Sequence, residues 1–593
     1  MLGANLTKDG EVTFTVWAPK AQTVEVHLLT DNRYIPMERD DRGYFICRVA
    51  GIQAGERYFY RLDGEKERPD PASRSQPDGV HQASAVVDPH YDWQVTNWSP
   101  PTLRNSVFYE LHVGTFTPEG TFEAIIPHLP RLKSLGITTL ELMPIAQFPG
   151  ERNWGYDGVG LYAPQNSYGG VIGLKRLVDA AHAHGLAVFL DVVYNHLGPE
   201  GNYLWDYGYY FTDRYRSSWG DVLNFDGAYS DEVRRFFIEN AIYWMRDYHI
   251  DGFRLDATHA LFDFRAVPFL EELVAAVHDW ADQHSRRVYV IAENDRSDRK
   301  TVLPRELGGV GLDAQWLDDL HHVIHHALTG EADGYYMDYA RFDLIAKVLR
   351  EGFALSGEYS PHMKRRHGTS SADIPSDRFI VCVQNHDQVG NRMLGERLTH
   401  LTDLAGRKLA AGVLLTSPYI PLLFMGEEYG ETAPFLYFIS HGDAQLVEAV
   451  RKGRKAEFAY FNWQADPPDP FAIETFQRSK INHDLRHEGE HAELYAYYKA
   501  LLKLRRETPA LTNPHREDTH VMTQGKIICM ERRYGTQIVR IFMNFHLSEP
   551  QIFTSEHVGD FYKVFDSTST APQSLPQTLT LPPKAFVVYQ GNS

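Results

Sequence analysis

Cysteine is scarce in this chain: 593 residues carry three, Cys47, Cys382 and Cys529, far apart and without a CxxC pair. That excludes a thiolate zinc centre and a disulfide framework, and it suits a reducing cytosol. Cationic excess is missing too. A formal net charge of −19 argues against a nucleic-acid surface and against attraction to an anionic membrane. The most apolar stretch, residues 409–426, is interrupted by Ser417, Pro418 and Pro421, so it reads as a buried helix followed by a strand and not as a membrane span. The opening MLGANLTKDGEV has no apolar leader core, and a cytoplasmic location is expected. There is no HExxH spacing, no repeat at solenoid period and no low-complexity tail. These absences leave a soluble globular enzyme with a neutral or cationic small-molecule substrate.

Aromatic residues, by contrast, are plentiful: 33 Tyr, 32 Phe and 10 Trp. Rings cover flat apolar faces, those of sugars included, but most fill cores. The length calls for several domains, one of them large. Residues 1–93 read as a β-sandwich, because Val12, Phe14 and Val16 alternate with Glu11, Thr13 and Thr15, and Val24, Val26 and Leu28 repeat the pattern. Asp41-Arg42-Gly43 and Asp63-Gly64 supply turns, and Trp98-Ser99-Pro100-Pro101 a linker.

From residue 106 strands and helices alternate. Strands are expected at 107–113, 138–143, 186–193, 250–256, 288–293, 313–317, 379–384 and 420–424. Between two of them Leu174, Leu177, Val178 and Ala181 share one helical face, with Gly185 placed to end the helix. Eight such units over about 400 residues indicate an α/β fold, a (β/α)8 TIM barrel with insertions. An open doubly wound sheet would need a Gly-rich phosphate turn after its first strand, and none is present. The barrel is assigned 94–514. A helix ending before Pro509 and apolar runs at 527–530, 539–545 and 585–589 then indicate a C-terminal all-β domain, 515–593.

The stretch Ile250-Asp251-Gly252-Phe253-Arg254-Leu255-Asp256-Ala257 is the centre of the chain. Its period of two sends Phe253 and Leu255 to one face, Arg254 and Asp256 to the other. Burying charge is costly, so a guanidinium beside a carboxylate suggests an acid that must stay ionised in a partly dry site; a structural ion pair is the plainer alternative. In a barrel the chemistry sits at the C-terminal strand ends. Those ends carry Asp191 with Asn195-His196, then Arg254 and Asp256, then Glu293, then Gln384-Asn385-His386-Asp387. Asp, Glu and His together can also bind a metal, but Arg254 would repel it, and no metal or cofactor is expected. Two carboxylates facing one bond suffice for glycoside cleavage. Arg254 selects Asp256 as the ionised partner, and the apolar run before Glu293 makes that residue the proton donor.

The segments GFRLDA (252–257), AEN (292–294), DVVYNH (191–196) and NHD (385–387) resemble the four short motifs of the α-amylase superfamily of glycoside hydrolases. Longer segments resemble one family within it, the malto-oligosyltrehalose trehalohydrolases. They are FYELHVGTFTPEGTF (108–122), RNWGYDGVGLYAPQNSYGG (152–170), DVVYNHLGPEGNYL (191–204), QNHDQVGNR (384–392) and GRKAEF (453–458). The resemblance spans nearly the whole chain. It implies that Asp256 is the nucleophile, Glu293 the general acid/base and Asp387 the third carboxylate, which orients substrate hydroxyls. It further implies that Arg254 supports the nucleophile, that His196 and His386 bind hydroxyls in the −1 subsite, and that Tyr156 is the aromatic platform. Thr258, His259, Gln388, Asn391 and Arg392, inside or beside these motifs, are expected to meet the sugar. So are Asp318, Asp319 and His321 after the sixth strand, on the leaving-group side.

Asn195 matches a residue that helps hold calcium in many α-amylases, yet the loop after it has no carboxylate-rich insertion, and no calcium is expected. The aromatic segment 203–210, with Trp219, either lines the cleft or packs an inserted subdomain. The implied substrate is malto-oligosyl trehalose. A glucan branching enzyme would share the modules and carboxylates but transfer the sugar to a 6-hydroxyl. A non-catalytic glucan-binding protein would usually lack a carboxylate, and all three are here. The sequence is silent on oligomeric state.

Overall fold

A computed structural model describes residues 1–217, 220–459, 467–555 and 560–592. Trp219 and the side chains closing the 453–458 motif lie outside the described residues.

Eight parallel strands close a barrel: β1 (Phe108–Leu111), β2 (Thr139–Leu142), β3 (Ala187–Val192), β4 (Gly252–Leu255), β5 (Tyr289–Ala292), β6 (Ala314–Trp316), β7 (Phe379–Val381) and β8 (Ile420–Phe424). Each pairs with its successor and β8 returns to β1, Phe108 facing Leu422. All eight fall inside the stretches expected from sequence. Almost every residue in them is buried on both faces, the apolar majority and also Glu110, Glu141, Asp191, Arg254 and Gln315. Gly252 is required by close approach: a Cβ there would stand 2.1 Å from the Phe189 ring of the adjacent strand.

Helices cover the barrel. Helix α1 (Gly170–Ala183) buries Leu174, Leu177, Val178 and Ala181 as one stripe and ends at Gly185, whose φ of 70° supplies the left-handed turn. The apolar stretch near 409–426 resolves into α2 (Leu404–Thr416) followed by β8.

The N-terminal module is a pair of antiparallel sheets. One orders Gly3–Leu6, Glu11–Trp17, Tyr44–Ala50 and Glu38–Arg39; the other orders Arg33–Pro36, Val24–Leu28, Arg57–Leu62 and Lys66–Arg68. A five-stranded antiparallel sheet built on Ile527–Tyr534 and Gln537–Asn544 forms the heart of the C-terminal module.

Two connections differ from a plain linker reading. Trp98 donates its indole N–H to Asp251 Oδ1 at 2.9 Å and stacks on His182, so the Pro-rich segment is pinned to the barrel. The aromatic segment 203–210 is a seam between modules. Tyr207 and Tyr210 are buried, the first donating to Pro69 O at 2.9 Å and the second packing edge-on against Trp17. Trp205 and Tyr209 remain exposed.

Candidate active site

Strand β4 ends on Asp256 and β5 on Glu293, and neighbouring backbone bonds lock the two ends together. The N–H of Asp256 donates to Val192 O, and that of Glu293 to Leu255 O, each at 3.0 Å. Arg254 lies wholly buried between them. Its Nη1 donates to Asp256 Oδ1 at 2.9 Å and to both Asp191 oxygens at 2.8 and 2.9 Å. Its Nη2 stands 2.9 Å from Glu293 Oε2, and its guanidinium lies 4.4 Å from the Trp316 ring centre. A buried cation is tolerable only when paired, and three carboxyls, those of Asp191, Asp256 and Glu293, surround this one.

Asp256 takes a second donor from Asn195, whose Nδ2 reaches Oδ2 at 2.6 Å and the Asp256 carbonyl at 2.8 Å. Burial opposes ionisation here, but Arg254, His196 and the Asn195 hydrogen bond outweigh it and hold the Asp256 carboxyl below its ordinary value. Glu293 goes the other way. Burial, with the Asp256 and Asp387 charges, outweighs Arg254 and pushes it up to about 8. Two carboxyls within reach of one guanidinium are thus held in opposite protonation states at neutral pH.

Asp387 is the most open of the three. Its side chain is 35% exposed, against 12% for Asp256 and 19% for Glu293. Asn391 Nδ2 donates to its Oδ1 at 3.1 Å, and His386 Nε2 lies 3.4 Å from its Oδ2. The His386 ring stacks on Tyr156 with centres 5.2 Å apart, and Tyr156 Oη donates to Asp191 Oδ2 at 2.5 Å. His196 contacts Asn195 through Nδ1 and the Tyr156 carbonyl through Nε2, at 3.0 Å for the latter. Asp256, Glu293, Asp387, Arg254, Tyr156, His196, His386 and Asn391 therefore form one connected cluster.

Other expected sugar contacts sit elsewhere or are engaged. Thr258 is buried and donates its hydroxyl to the Glu293 carbonyl at 2.6 Å, so it braces the acid. Asp319 is buried and accepts the Ala354 N–H at 2.8 Å, because the first turn of the helix Asp319–Thr329 rotates it away from Asp318. His321 is buried with both ring nitrogens used, on Val383 O and the Tyr336 hydroxyl, each at 2.8 Å. Arg392 is clamped in a fork by Glu331 at 2.7 and 2.9 Å. These four side chains are engaged within the protein: a polar residue near a strand end faces the cleft only if its backbone turns it there. Asp318 is half-buried, and burial with the nearby Asp387 charge raises it to about 7. His259 and Gln388 are half-buried, beside Asp295 and Tyr335.

Asp191 and Asn195, read from the sequence as strand-end residues without a catalytic role, join the cluster, and so does Glu110 on β1, which the sequence did not single out and which accepts the His386 backbone N–H at 2.9 Å. Strand alternation turns Glu110 inward, but its partner is 276 residues away in sequence.

Comparison with known proteins agrees with this geometry. The family model for the alpha amylase catalytic domain matches residues 69–221 and 205–514, and that for carbohydrate-binding module 48 (isoamylase N-terminal domain) matches 1–90. A malto-oligosyltrehalose trehalohydrolase of Saccharolobus solfataricus is 47% identical over 505 residues, 85% of this chain and 87% of its own. A crystal structure of a proposed alpha amylase from Salmonella typhimurium superposes with a TM-score of 0.91 at 38% identity, covering 100% of this chain and 99% of that one. A 1,4-alpha-glucan branching enzyme of Pseudoalteromonas atlantica is more distant, 28% identical over 71% of this chain and 61% of its own. The chain belongs to the malto-oligosyltrehalose trehalohydrolase family, within the α-amylase superfamily.

Proposed function

We propose that the protein is a retaining glycoside hydrolase that cleaves the α-1,4 bond next to the terminal trehalose of malto-oligosyl trehalose, in the cytoplasm. The observation that carries this reading is the placing of Asp256 and Glu293 on either side of Arg254, each within 2.9 Å of its guanidinium, where the surroundings favour the ionised form of Asp256 and the protonated form of Glu293. Glu293 gives its proton to the glycosidic oxygen while an Asp256 carboxylate oxygen attacks the anomeric carbon. The C–O bond breaks, and free trehalose leaves. Glu293, now a carboxylate, takes a proton from water as that water attacks the glycosyl ester. Asp256 departs as carboxylate, and the shortened malto-oligosaccharide is released with its configuration retained. Asp387 orients sugar hydroxyls. Tyr156 offers a ring face to the −1 subsite, and His196 and His386 hold that tyrosine from its backbone carbonyl and its hydroxyl.

A retaining pair requires the two carboxyl groups to stand roughly 5–5.5 Å apart. The deciding experiment is incubation with trehalosyl-capped malto-oligosaccharide, followed by chromatography and early proton NMR. Free trehalose and a first-formed α-anomeric oligosaccharide are expected. New α-1,6 links in amylose without trehalose release would favour a branching enzyme, and a β-anomer would exclude the retaining mechanism.

A further inference from the structure

One hydrogen-bonded chain runs beneath the sugar-facing groups, from the first barrel strand to Asp256. Glu110 accepts from His386 twice, at Oε2 from the backbone N–H at 2.9 Å and at Oε1 from Nδ1. His386 Nε2 meets Tyr156 Oη at 2.7 Å, and Tyr156 Oη meets Asp191 Oδ2 at 2.5 Å. Asp191 takes Arg254 Nη1, which also holds Asp256. Glu110 has no place in the reaction as written, and both it and His386 are only 1% exposed.

We propose that Glu110 is a positioning residue: by keeping His386 doubly protonated it fixes the direction of this chain, so that Nε2 donates to Tyr156 and Tyr156 donates onward to Asp191. The inference rests on the catalytic reading above only for its effect on turnover.

The directionality follows from donor counting. An ionised carboxylate accepts only, so the Nδ1 facing Glu110 carries a proton. If Nε2 carried none, it would take the Tyr156 proton, and Asp191 would keep Arg254 but lose its second donor in a buried position, where a missing hydrogen bond is costly. A second ring proton removes that conflict. Titratable and charged groups face the ring from several strands: Glu110, Asp191, Asp318 and Asp387, Glu141, which burial pushes toward its neutral acid form, Arg254, and His112, which burial lowers to about 4. Burial disfavours the imidazolium, yet Asp387 and Glu110 outweigh it and raise His386 to about 10. The chain then keeps one polarity across the working range.

A Glu110→Gln variant separates this role from simple filling. Without the carboxylate, His386 loses a proton within the measurable range. The ratio of variant to wild-type kcat on capped substrate should therefore step down about tenfold as pH rises from about 5 to 9. KM should change less than twofold. Glu110→Asp keeps the charge, so its ratio should stay flat whatever its absolute rate. In a His386→Gln background, Glu110→Gln should add less than a twofold loss. A pH-independent ratio for Glu110→Gln, or a step for Glu110→Asp, overturns the proposal.

Should Glu110→Gln fail to fold, the wild type decides. With 15N-labelled histidine, the ring signals that vanish in His386→Gln should report both nitrogens protonated at pH 8. A neutral ring there overturns the proposal. This measurement stands even if the wild type releases no trehalose, an outcome that would remove the functional reading and leave the assignment of Glu110 intact.

Discussion

The backbone N–H of Ala257 donates to Glu293 Oε2 at 2.7 Å. That oxygen also lies 2.9 Å from Arg254 Nη2, so it is surrounded by donors and is the acceptor half of the carboxyl. The transferable proton therefore belongs on Oε1. Ala257 achieves this in a left-handed conformation, φ 39° and ψ 53°, in which a residue with a Cβ is strained by about 1–2 kcal/mol. The strain sits between Asp256 and Thr258, and it aims an amide at Glu293 that a relaxed strand would point elsewhere.

Removing the proton without removing the shape tests this directly. Glu293→Gln should lower kcat on capped oligosaccharide by about 10²–10⁴-fold, the usual weight of general acid–base catalysis. With an aryl glycoside whose leaving group needs no proton, formation of the glycosyl-enzyme should return toward the wild-type rate. Burst kinetics would show this, and an equal loss on both substrates would exclude Glu293 as the acid.

The same group sets a pH limit. Activity needs Glu293 protonated and Asp256 ionised, so kcat/KM should fall on the alkaline side near pH 8 and hold on the acid side to below the ordinary aspartate value. Stability follows the opposite logic to a salt-bridged acid. Glu293 is raised in the fold, so the folded state binds more protons than the unfolded state between its ordinary value and about 8. Its contribution is favourable at low pH and is lost as pH rises through that window. Melting scans should therefore find Glu293→Gln more stable than wild type at pH 8 by about 1 kcal/mol or more, with the gap closing toward pH 5.

Asn195→Ala removes the donor at 2.6 Å from Asp256 Oδ2 and leaves Arg254 in place. A hydrogen bond to a charged group contributes about 1.5–3 kcal/mol, so kcat/KM should fall about 10–100-fold. The acid limb should also move up toward the ordinary aspartate value. A rate loss without that movement would mean that Asn195 acts through packing and not through the Asp256 charge.

The barrel was legible because parallel strands buried on both faces are short, largely apolar segments between helices, and eight such segments recur along the chain. The three carboxylates were legible because strand ends place them, whatever their spacing. Asp318, Asp319 and His321 look alike in sequence, and one helical turn decides which of them is buried. Ala257 left no trace, since its contribution is a backbone N–H. Glu110 was hidden for a related reason: alternation turns it inward, but only closure of the barrel brings His386 onto it.

Distant from the three carboxylates, Asp251, the second residue of the central octapeptide, supports the fold alone. It is fully buried and accepts from His182 Nε2 at 2.8 Å, the Val188 N–H at 2.9 Å and the Trp98 indole at 2.9 Å, with Arg286 at 3.6 Å. Asp251→Ala strands those donors and unpins the segment joining the N-terminal module to the barrel. Breaking a buried, fully bonded charge costs about 3–5 kcal/mol, so the denaturant midpoint should drop sharply. Because Asp251 reaches neither Asp256 nor Glu293, active-site titration of the fraction still folded should give a near wild-type kcat. A variant with an unchanged midpoint and a depressed kcat would instead make Asp251 part of the catalytic apparatus, against the separation between the two ends of this strand.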